Sequence, residues 1–431
     1  YNICDSLGLM IWHDFMFSCA VYPSDQPFLD EIEAELNHQI RRLRDHAAIA
    51  MWCGDNECVG ALGWWEVTRN NREFYTRSLD KIGKLRGKIC AEVDPARVYW
   101  PSSPCAGPGD YQTDNWKEDS KGDMHLWSIS KFAGPLSDYY KVRPRFCSEY
   151  GHSSLTSYAS AKRYCAPWQA DAWSEDMDVH TKEVTDGKRG NRIIADRLQL
   201  HFREPSKVSD FFYLSQCEQA MGLKVASEYW RTLEPACMGT IYWQLNDIWP
   251  GTSWSRIEYD GKWKQSHYHA RHFFAPELVT VTPSETEGFI DIWALNDTGA
   301  KCDYTVIVKV WSFDGKVERE YSFGASHQCS VAQKVATLGK KELLDGAGPD
   351  SRFLEIRMFA HDGREAASNS WLFTEYKDAS LADATVKAEA VEEDGHWYVN
   401  LTTSAPAFFV WLSMPDIKGE FSDNSLVLYP D

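Results

Sequence analysis

Residues 9–53 read LMIWHDFMFSCAVYPSDQPFLDEIEAELNHQIRRLRDHAAIAMWC, and the hydrophobic pattern changes twice along them. Leu9 to Phe17 is a short apolar and aromatic run of strand length. Ser24 and Asp25 ahead of Pro27 mark a helix start: a short oxygen-bearing side chain caps the free N–H groups, and proline's missing donor costs nothing in the first turn. Phe28, Leu29, Ile32, Leu36, Ile40 and Leu43 then recur at helical spacing, which predicts one apolar helix face. Ala48 to Cys53 (AIAMWC) is the next strand. A strand, a helix and a strand in succession form a βα unit, and the crossover helix makes the two strands parallel.

Outward from this stretch the pattern repeats. Arg97–Trp100, Asp123–Trp127, Arg145–Tyr150 and Gly239–Leu245 are further strand candidates, each followed by helix or loop. Together they predict a (β/α)8 barrel over residues 1–275 that lacks its first two strands, with polar and aromatic residues gathered where strands end. Cys165 to Arg192 is polar and aperiodic, which predicts an excursion over the surface. Beyond about residue 275 the period becomes two: LVTVTP, GFIDIWALN, DYTVIVKVWSF and RFLEIRMFA alternate with turn residues. Residues 276–378 therefore read as an immunoglobulin-like β-sandwich. Residues 379–431, with VKAEAVEEDGHWYVNLTTS, read as a second sandwich cut short, since roughly fifty residues bury little core. The chain opens on YNICDSLGLMIW without an initiator Met or a signal peptide, so both ends read as cut and any targeting segment lies outside this sequence.

Composition sets further bounds. With 431 residues, 43% hydrophobic and 25% charged, the chain has the makeup of a multidomain globular protein. No apolar run approaches the roughly 20 residues needed to span a bilayer, so no membrane partner is expected. A formal charge of −18 without a basic stripe argues against nucleic acid. The twelve cysteines are scattered, several in apolar runs, which leans towards a reducing, cytoplasmic setting. Asn296-Asp-Thr and Asn400-Leu-Thr match the glycosylation pattern and pull the other way, towards a secreted, periplasmic or lysosomal setting. Oligomeric state is not legible.

Two carboxylates carry the chemistry. Asn56-Glu57 follows the strand AIAMWC, and Glu149 follows the strand RFCS. Glycoside hydrolysis needs such a pair at converging strand ends, one to protonate the leaving oxygen and one to attack or to direct water. Trp52, Trp64 and Trp65 read as aromatic walls that would raise the pKa of Glu57 by desolvation. The alternative for Glu57 is a plain helix start, and for Glu149 a solvated strand end. Trp243, Asn246, Asp247 and Trp249 in GTIYWQLNDIWP suit a sugar's apolar face and flanking hydroxyls. His125 and Trp127 in GDMHLW, and Asp14 in WHD, are further candidates to hold hydroxyls or stack; the alternatives are a structural histidine and an Asp14–Arg pair. There is no HExxH, no paired Cys/His spacing, no GxSxG elbow and no phosphate loop, so no metal and no cofactor is expected.

The runs YNICDSLGLMIWHDFMFSCAVYP, HAAIAMWCGDNE, GDMHLW, RFCSEYG and GTIYWQLNDIWPGTSWSRIEYDGKWK together resemble family 2 glycoside hydrolases of the β-mannosidase branch. The resemblance implies a retaining exo-β-mannosidase that removes terminal, non-reducing β-D-mannose from an oligosaccharide or mannoside. It implies Glu57 as acid/base, Glu149 as nucleophile, Asn56 on the sugar's 2-hydroxyl and Trp243 as floor, with Trp65, His125, Trp127 and Asp14 lining the site. Asp55 stands where the family usually has Asn, and its charge, if close, would raise the pKa of Glu57. Tyr150 stands where the branch usually has Phe, a form shared with β-glucuronidases and β-galactosidases. Alternatives are therefore another family 2 β-glycosidase, exo-β-glucosaminidases included, or a non-catalytic carbohydrate-binding protein. The resemblance also implies further domains and two barrel strands ahead of residue 1, so that the chain alone is expected to show little activity.

Overall fold

The computed structural model describes residues 1–430 apart from 113–117, 167–169, 182, 186, 328–330 and 415–418. Cys329 lies outside the described residues, and the other eleven cysteines are free thiols. The chain divides into two compact units. Tyr1–Leu126, Arg143–Tyr150 and Gly239–Ile241 form the first; Trp127–Val142, Gly151–Met238 and Tyr242–Asp431 form the second.

In the first unit, β1 (Ile11–Asp14), β2 (Ile49–Cys53) and β3 (Val98–Trp100) make a parallel sheet in that order. β4 (Met124–Leu126) and β5 (Cys147–Tyr150) pair in parallel, and Thr240 bridges to Cys147, again in parallel. Asp123 N donates to Cys105 O at 3.2 Å, just beyond β3 and just before β4. The helix Gln26–Leu43 starts as its sequence implies, with Asp25 accepting from Phe28 N at 3.2 Å. Its Leu29, Ile32, Leu36, Ile40 and Leu43 are buried in one cluster with Ile49 of β2 and with Ile82, Ile89 and Val93 of the helix Arg72–Val93. Each such side chain contributes about 1.5–3 kcal/mol relative to exposure. Trp52 belongs to this core, with no exposed surface and its Nε1 donating to Asp94, so it is not the site wall its sequence position suggested.

The last strand candidate is shorter than its sequence suggests. Among the described residues only Gly239 to Ile241 engage β5, with Cys147 N donating to Gly239 O at 3.2 Å and Ile241 N donating to Cys147 O at 2.8 Å. From residue 244 on, the backbone donors and acceptors serve a local loop instead: Gln244 N to Trp254 O, Arg256 N to Leu245 O and Asp247 N to Ile257 O.

In the second unit, residues 165–192 are not a surface excursion. Cys165, Ala170, Ala172 and Met177 are buried with Leu155, Ile194, Leu198 and Phe212. Small apolar residues sufficed because the polar ones are bonded locally. Asn191 Nδ2 donates to Ala172 O, Ser174 caps the short helix Glu175–Val179, and β6 (Val184–Thr185) pairs antiparallel with β7 (Lys188–Arg189). Beside them sits a buried ionic cluster. Glu218, on the helix Val208–Arg231, accepts from Arg197 Nε at 3.0 Å and meets His152 Nδ1 at 2.8 Å, while Tyr139 Oη and His152 Nε2 are 2.8 Å apart. Burial alone would raise the pKa of Glu218, but Arg197 and His152 outweigh it and bring it to about 2. Burial pushes the pKa of His152 down; Glu218 opposes the shift and Arg197 reinforces it.

The period-two region is a sandwich of seven strands: β8 (Glu277–Pro283), β9 (Phe289–Asn296), β10 (Cys302–Ser312), β11 (Val317–His327), β12 (Gln333–Gly339), β13 (Arg352–Ala360) and β14 (Glu365–Leu372). Two antiparallel sheets, ordered β11-β10-β13-β14 and β12-β9-β8, share a core in which alternate residues point inward, such as Tyr304, Val306, Val308 and Val310. The remaining strands form two pairs, β15 (Val386–Glu393) with β16 (His396–Thr403) and β17 (Ala407–Val410) with β18 (Leu426–Leu428). Of the two glycosylation-pattern asparagines, Asn296 is buried and bonded to Thr298 and Ala300, whereas Asn400 is exposed.

Candidate active site

The first unit brings Glu57 and Glu149 together, although 91 residues separate them in the chain. Glu57 follows β2 and stands at φ 59°, in the left-handed region that residues other than glycine seldom occupy, immediately before the helix Cys58–Trp64. Its N–H donates to Ser103 O at 2.6 Å, and its carbonyl accepts from Ala61 N to begin the helix. Glu149 is the third residue of β5 and pairs in register with His125 of β4. The register sets the site: His125 Nδ1 lies 2.9 Å from Glu57 Oε1 and 3.0 Å from Glu149 Oε2. The ligand-type atoms of Glu57, His125 and Glu149 all lie within 4.8 Å of one another. Distances of 2.9 and 3.0 Å are those of charge-assisted hydrogen bonds, so this trio reads as a proton-sharing group.

His125 is buried, with its side chain 2% exposed, against 21% for Glu57 and 15% for Glu149. Expected as a partner for a substrate hydroxyl, it has both ring nitrogens engaged by protein, since Nε2 lies 3.0 Å from Ser103 Oγ. Ser103 Oγ also lies 2.7 Å from Asp123 Oδ2. Buried Asp123 further accepts from Ser148 Oγ, from Trp100 Nε1 at 2.8 Å and from Cys105 N at 2.9 Å. Burial pushes the pKa of His125 down, but the bond to Glu57 and the charges of Glu149, Glu57 and Asp123 together leave it raised.

Asp55 is not an unpaired charge beside Glu57. It is fully buried and paired with Arg86 Nη2 at 2.7 Å, and it accepts from Ser102 Oγ and Cys58 N. Arg86, from the helix Arg72–Val93, also donates to Gly54 O, so one guanidinium neutralises Asp55 and fastens the turn that presents Glu57.

Asn56 continues β2 by bridging to Ser18 and Ser103, and its Nδ2 is 3.7 Å from the Cys19 sulfur. Cys19, at φ 50°, places that sulfur 3.6 Å from Glu57 Oε2. Burial and the neighbouring Glu57 raise the thiol pKa to about 11. Asp14, at the end of β1, accepts from Trp12 Nε1 at 2.9 Å, and no arginine pairs with it among the described residues. Trp64 and Trp65 are 45% and 44% exposed and meet edge to face. Trp127 and Trp243 fall in the second unit, each one or two residues beyond a strand of the first. A Cβ on Gly151, two positions after Glu149, would stand 2.3 Å from Trp243 O and 3.2 Å from the Trp127 ring, which explains the glycine. In the same unit Asp247 accepts from Ser253 Oγ at 2.6 Å and from Ser255 Oγ, and Trp249 stacks on His180.

Sequence reasoning passed over Cys19, Ser103, Asp123 and Arg86. Asp123 carried a signal: alternation along a strand puts it on the face of His125. A cavity of 1040 Å³ in the second unit, bordered by Tyr140, Glu228, Trp371 and Tyr429 among others, contains none of these groups.

A carboxylate pair at the ends of parallel strands, followed by a seven-stranded sandwich, defines a barrel-type fold with an immunoglobulin-like accessory domain. Family models for a mannosidase Ig/CBM-like domain and an Ig-fold domain match residues 288–378 and 381–431. The chain is 32% identical to β-mannosidases of Bos taurus and of Capra hircus, over 99% of its own length and 51% of theirs. It superposes along its whole length on half (51%) of a β-D-mannosidase from Dictyoglomus thermophilum, with TM-score 0.87 and 27% identity. Along nearly its whole length the chain is similar to β-mannosidases of glycoside hydrolase family 2, and its fold is a (β/α)8-type barrel followed by immunoglobulin-like sandwiches. It spans about half the length of the relatives it matches.

Proposed function

We propose that this chain carries the catalytic carboxylates of a retaining exo-β-mannosidase. One observation bears most of the weight: Glu57 and Glu149 approach from separate strand ends until their oxygens lie within 4.8 Å. Retaining glycosidases hold their carboxyl groups about 5–5.5 Å apart, whereas inverting ones leave about 6.5–9.5 Å for a water. In this reading Glu57 protonates the glycosidic oxygen while Glu149 attacks the anomeric carbon. Glu57, now ionised, then takes a proton from the water that hydrolyses the glycosyl ester. Asn56 would hold the 2-hydroxyl; Trp243, Trp65, Trp127 and Asp14 would bind the sugar. The names of the relatives support mannose over galactose, glucuronic acid or glucosamine. The domain limits proposed with it are 1–275, 276–378 and 379–431, in keeping with the family-model matches.

The test uses the longest natural form of the protein with nitrophenyl β-D-mannoside, galactoside, glucuronide and glucosaminide, and follows the anomeric proton of the first-formed sugar. Turnover of the mannoside with β product is expected. An initial α product, or turnover of none of the four, would overturn the proposal. Among the described residues β1 is paired on one side only, so residues 1–431 alone are expected to turn over far more slowly than that longer form.

A further inference from the structure

The inference concerns His125 and rests on the roles proposed for Glu57 and Glu149. Ser103 Oγ has one proton and stands nearer the acceptor-only carboxylate of Asp123, at 2.7 Å, than the His125 ring, at 3.0 Å. The serine proton therefore goes to Asp123, and Ser103 accepts from His125, which fixes a proton on Nε2. On the other side of the ring Nδ1 faces two carboxylates, at 2.9 and 3.0 Å. A bare Nδ1 lone pair would be acceptable to Glu57 only if Glu57 carried a proton, and it would repel ionised Glu149. A proton on Nδ1 satisfies both. Among the described residues Asp123, behind Ser103, and Asp14 are further acidic groups around the site, and Cys19 adds a thiol beside Glu57; the guanidinium of Arg86 is bound to Asp55. The ring thus stands among anions.

We propose that His125 is a positioning residue whose Nδ1 proton is held in common by the two glutamates and passes through Glu57 to the leaving group. Before reaction the ring is cationic and both carboxylates are ionised. The Nδ1 proton moves to Glu57 and on to the glycosidic oxygen as the C–O bond breaks, while Glu149 bonds to the anomeric carbon; a neutral ring, ionised Glu57 and a neutral ester result. Water then attacks the same carbon and releases Glu149 as carboxylate, and the water's proton returns through Glu57 to Nδ1. Net charge is unchanged at each stage. The arrangement also lets the nucleophile report to the acid: once Glu149 is an ester, half of the attraction that held the ring proton is gone.

The experiment compares His125→Asn, which keeps an amide near the Nδ1 position but cannot ionise, with the parent in the longest natural form, on aryl and alkyl glycosides of the accepted sugar. With the imidazole gone, the shared proton must rest on a carboxylate alone, so the alkaline limb of kcat/KM is expected to fall by a pH unit or more. The alkyl substrate should lose on the order of 10²-fold, and a dinitrophenyl substrate, whose leaving group needs no proton, should lose much less. An unmoved limb, or equal losses on both substrates, would overturn the proposal. If the variant does not fold, ¹⁵N-histidine NMR of the parent decides instead. Both His125 nitrogens should be protonated at neutral pH, and Nδ1 should deprotonate when a 2-fluoro glycoside traps Glu149 as an ester. A neutral ring in the free enzyme, or no change on trapping, counts against the idea. Glu57→Ala with azide separates the two layers: without formation of the β-glycosyl azide it is the carboxylate assignment that fails, whatever His125 does.

Discussion

His152 and His125, both buried, each set Nδ1 against a glutamate, and their surroundings drive them in opposite directions. His152 meets Glu218 at 2.8 Å, but Arg197 already neutralises that glutamate, and burial leaves the ring pKa depressed. His125 meets two carboxylates, Glu57 and Glu149, and its pKa is raised. Two glutamates and Asp123 around His125, against one glutamate shared with a guanidinium at His152, make the difference between the two rings. Desolvation is the largest influence on both rings, so burial alone does not distinguish them; the balance of neighbouring charge does.

The contrast is sharpest for activity. Glu149→Gln should reduce kcat by about 10⁴-fold or more while Glu218→Gln leaves the chemistry of the folded fraction intact, as read by steady-state rates on an aryl β-mannoside. Glu57→Ala should cost about 10²–10⁴-fold, with the smaller loss on the better leaving group and partial rescue by azide. Stability should show the reverse pattern. Arg197→Leu strands a buried carboxylate and should cost about 3–5 kcal/mol in denaturant unfolding, whereas His125→Asn should cost far less.

The pH dependence of folding gives the two histidines opposite signs. The folded pKa of His125 lies above 6.5, so its contribution is fully present below that unfolded value and is lost as pH rises through the raised one. The folded pKa of His152 lies below 6.5, so its contribution is present above that value and fades as pH falls; Glu218, at about 2 against 4.5, continues the loss in stronger acid. The stability gap between parent and His125→Asn should therefore narrow towards alkaline pH, and that between parent and His152→Asn towards acid. Parallel gaps would remove the comparison. The smallest effect belongs to Cys19: with its pKa near 11 the thiol should alkylate slowly at neutral pH and faster as pH rises, with turnover lost in step as bulk arrives beside Glu57.

The sequence made the pieces of the first unit legible wherever the determinant was local. The apolar runs that became β1 to β5 and the capped helix after Asp25 depend on neighbours a few residues away. Glu57 and Glu149 were legible as a pair because each stands at the end of a strand, and parallel strands bring their ends together. What escaped depends on register and on distant partners. Asp55 read as a free charge because Arg86 lies 31 residues on, on another element. Trp52 read as a wall because a strand does not declare which of its faces turns to the core. Residues 165–192 read as surface because polar side chains that bond their own backbone leave the same composition as solvated ones. His125 read as a substrate contact because Ser103 and Glu149, which claim its two nitrogens, become its neighbours only once the strands are aligned.

The clasp between Arg86 and the Gly54–Asp55 turn has a practical consequence for handling the protein. Warming that unravels the Arg72–Val93 helix would release the turn and displace Glu57, while the sandwich, with its own separate core, stays folded. Catalytic half-life on heating would then report the endurance of that clasp together with the bonds from Ser102 and Cys58, and a melting curve dominated by β-structure would overstate how long a sample remains fit for use.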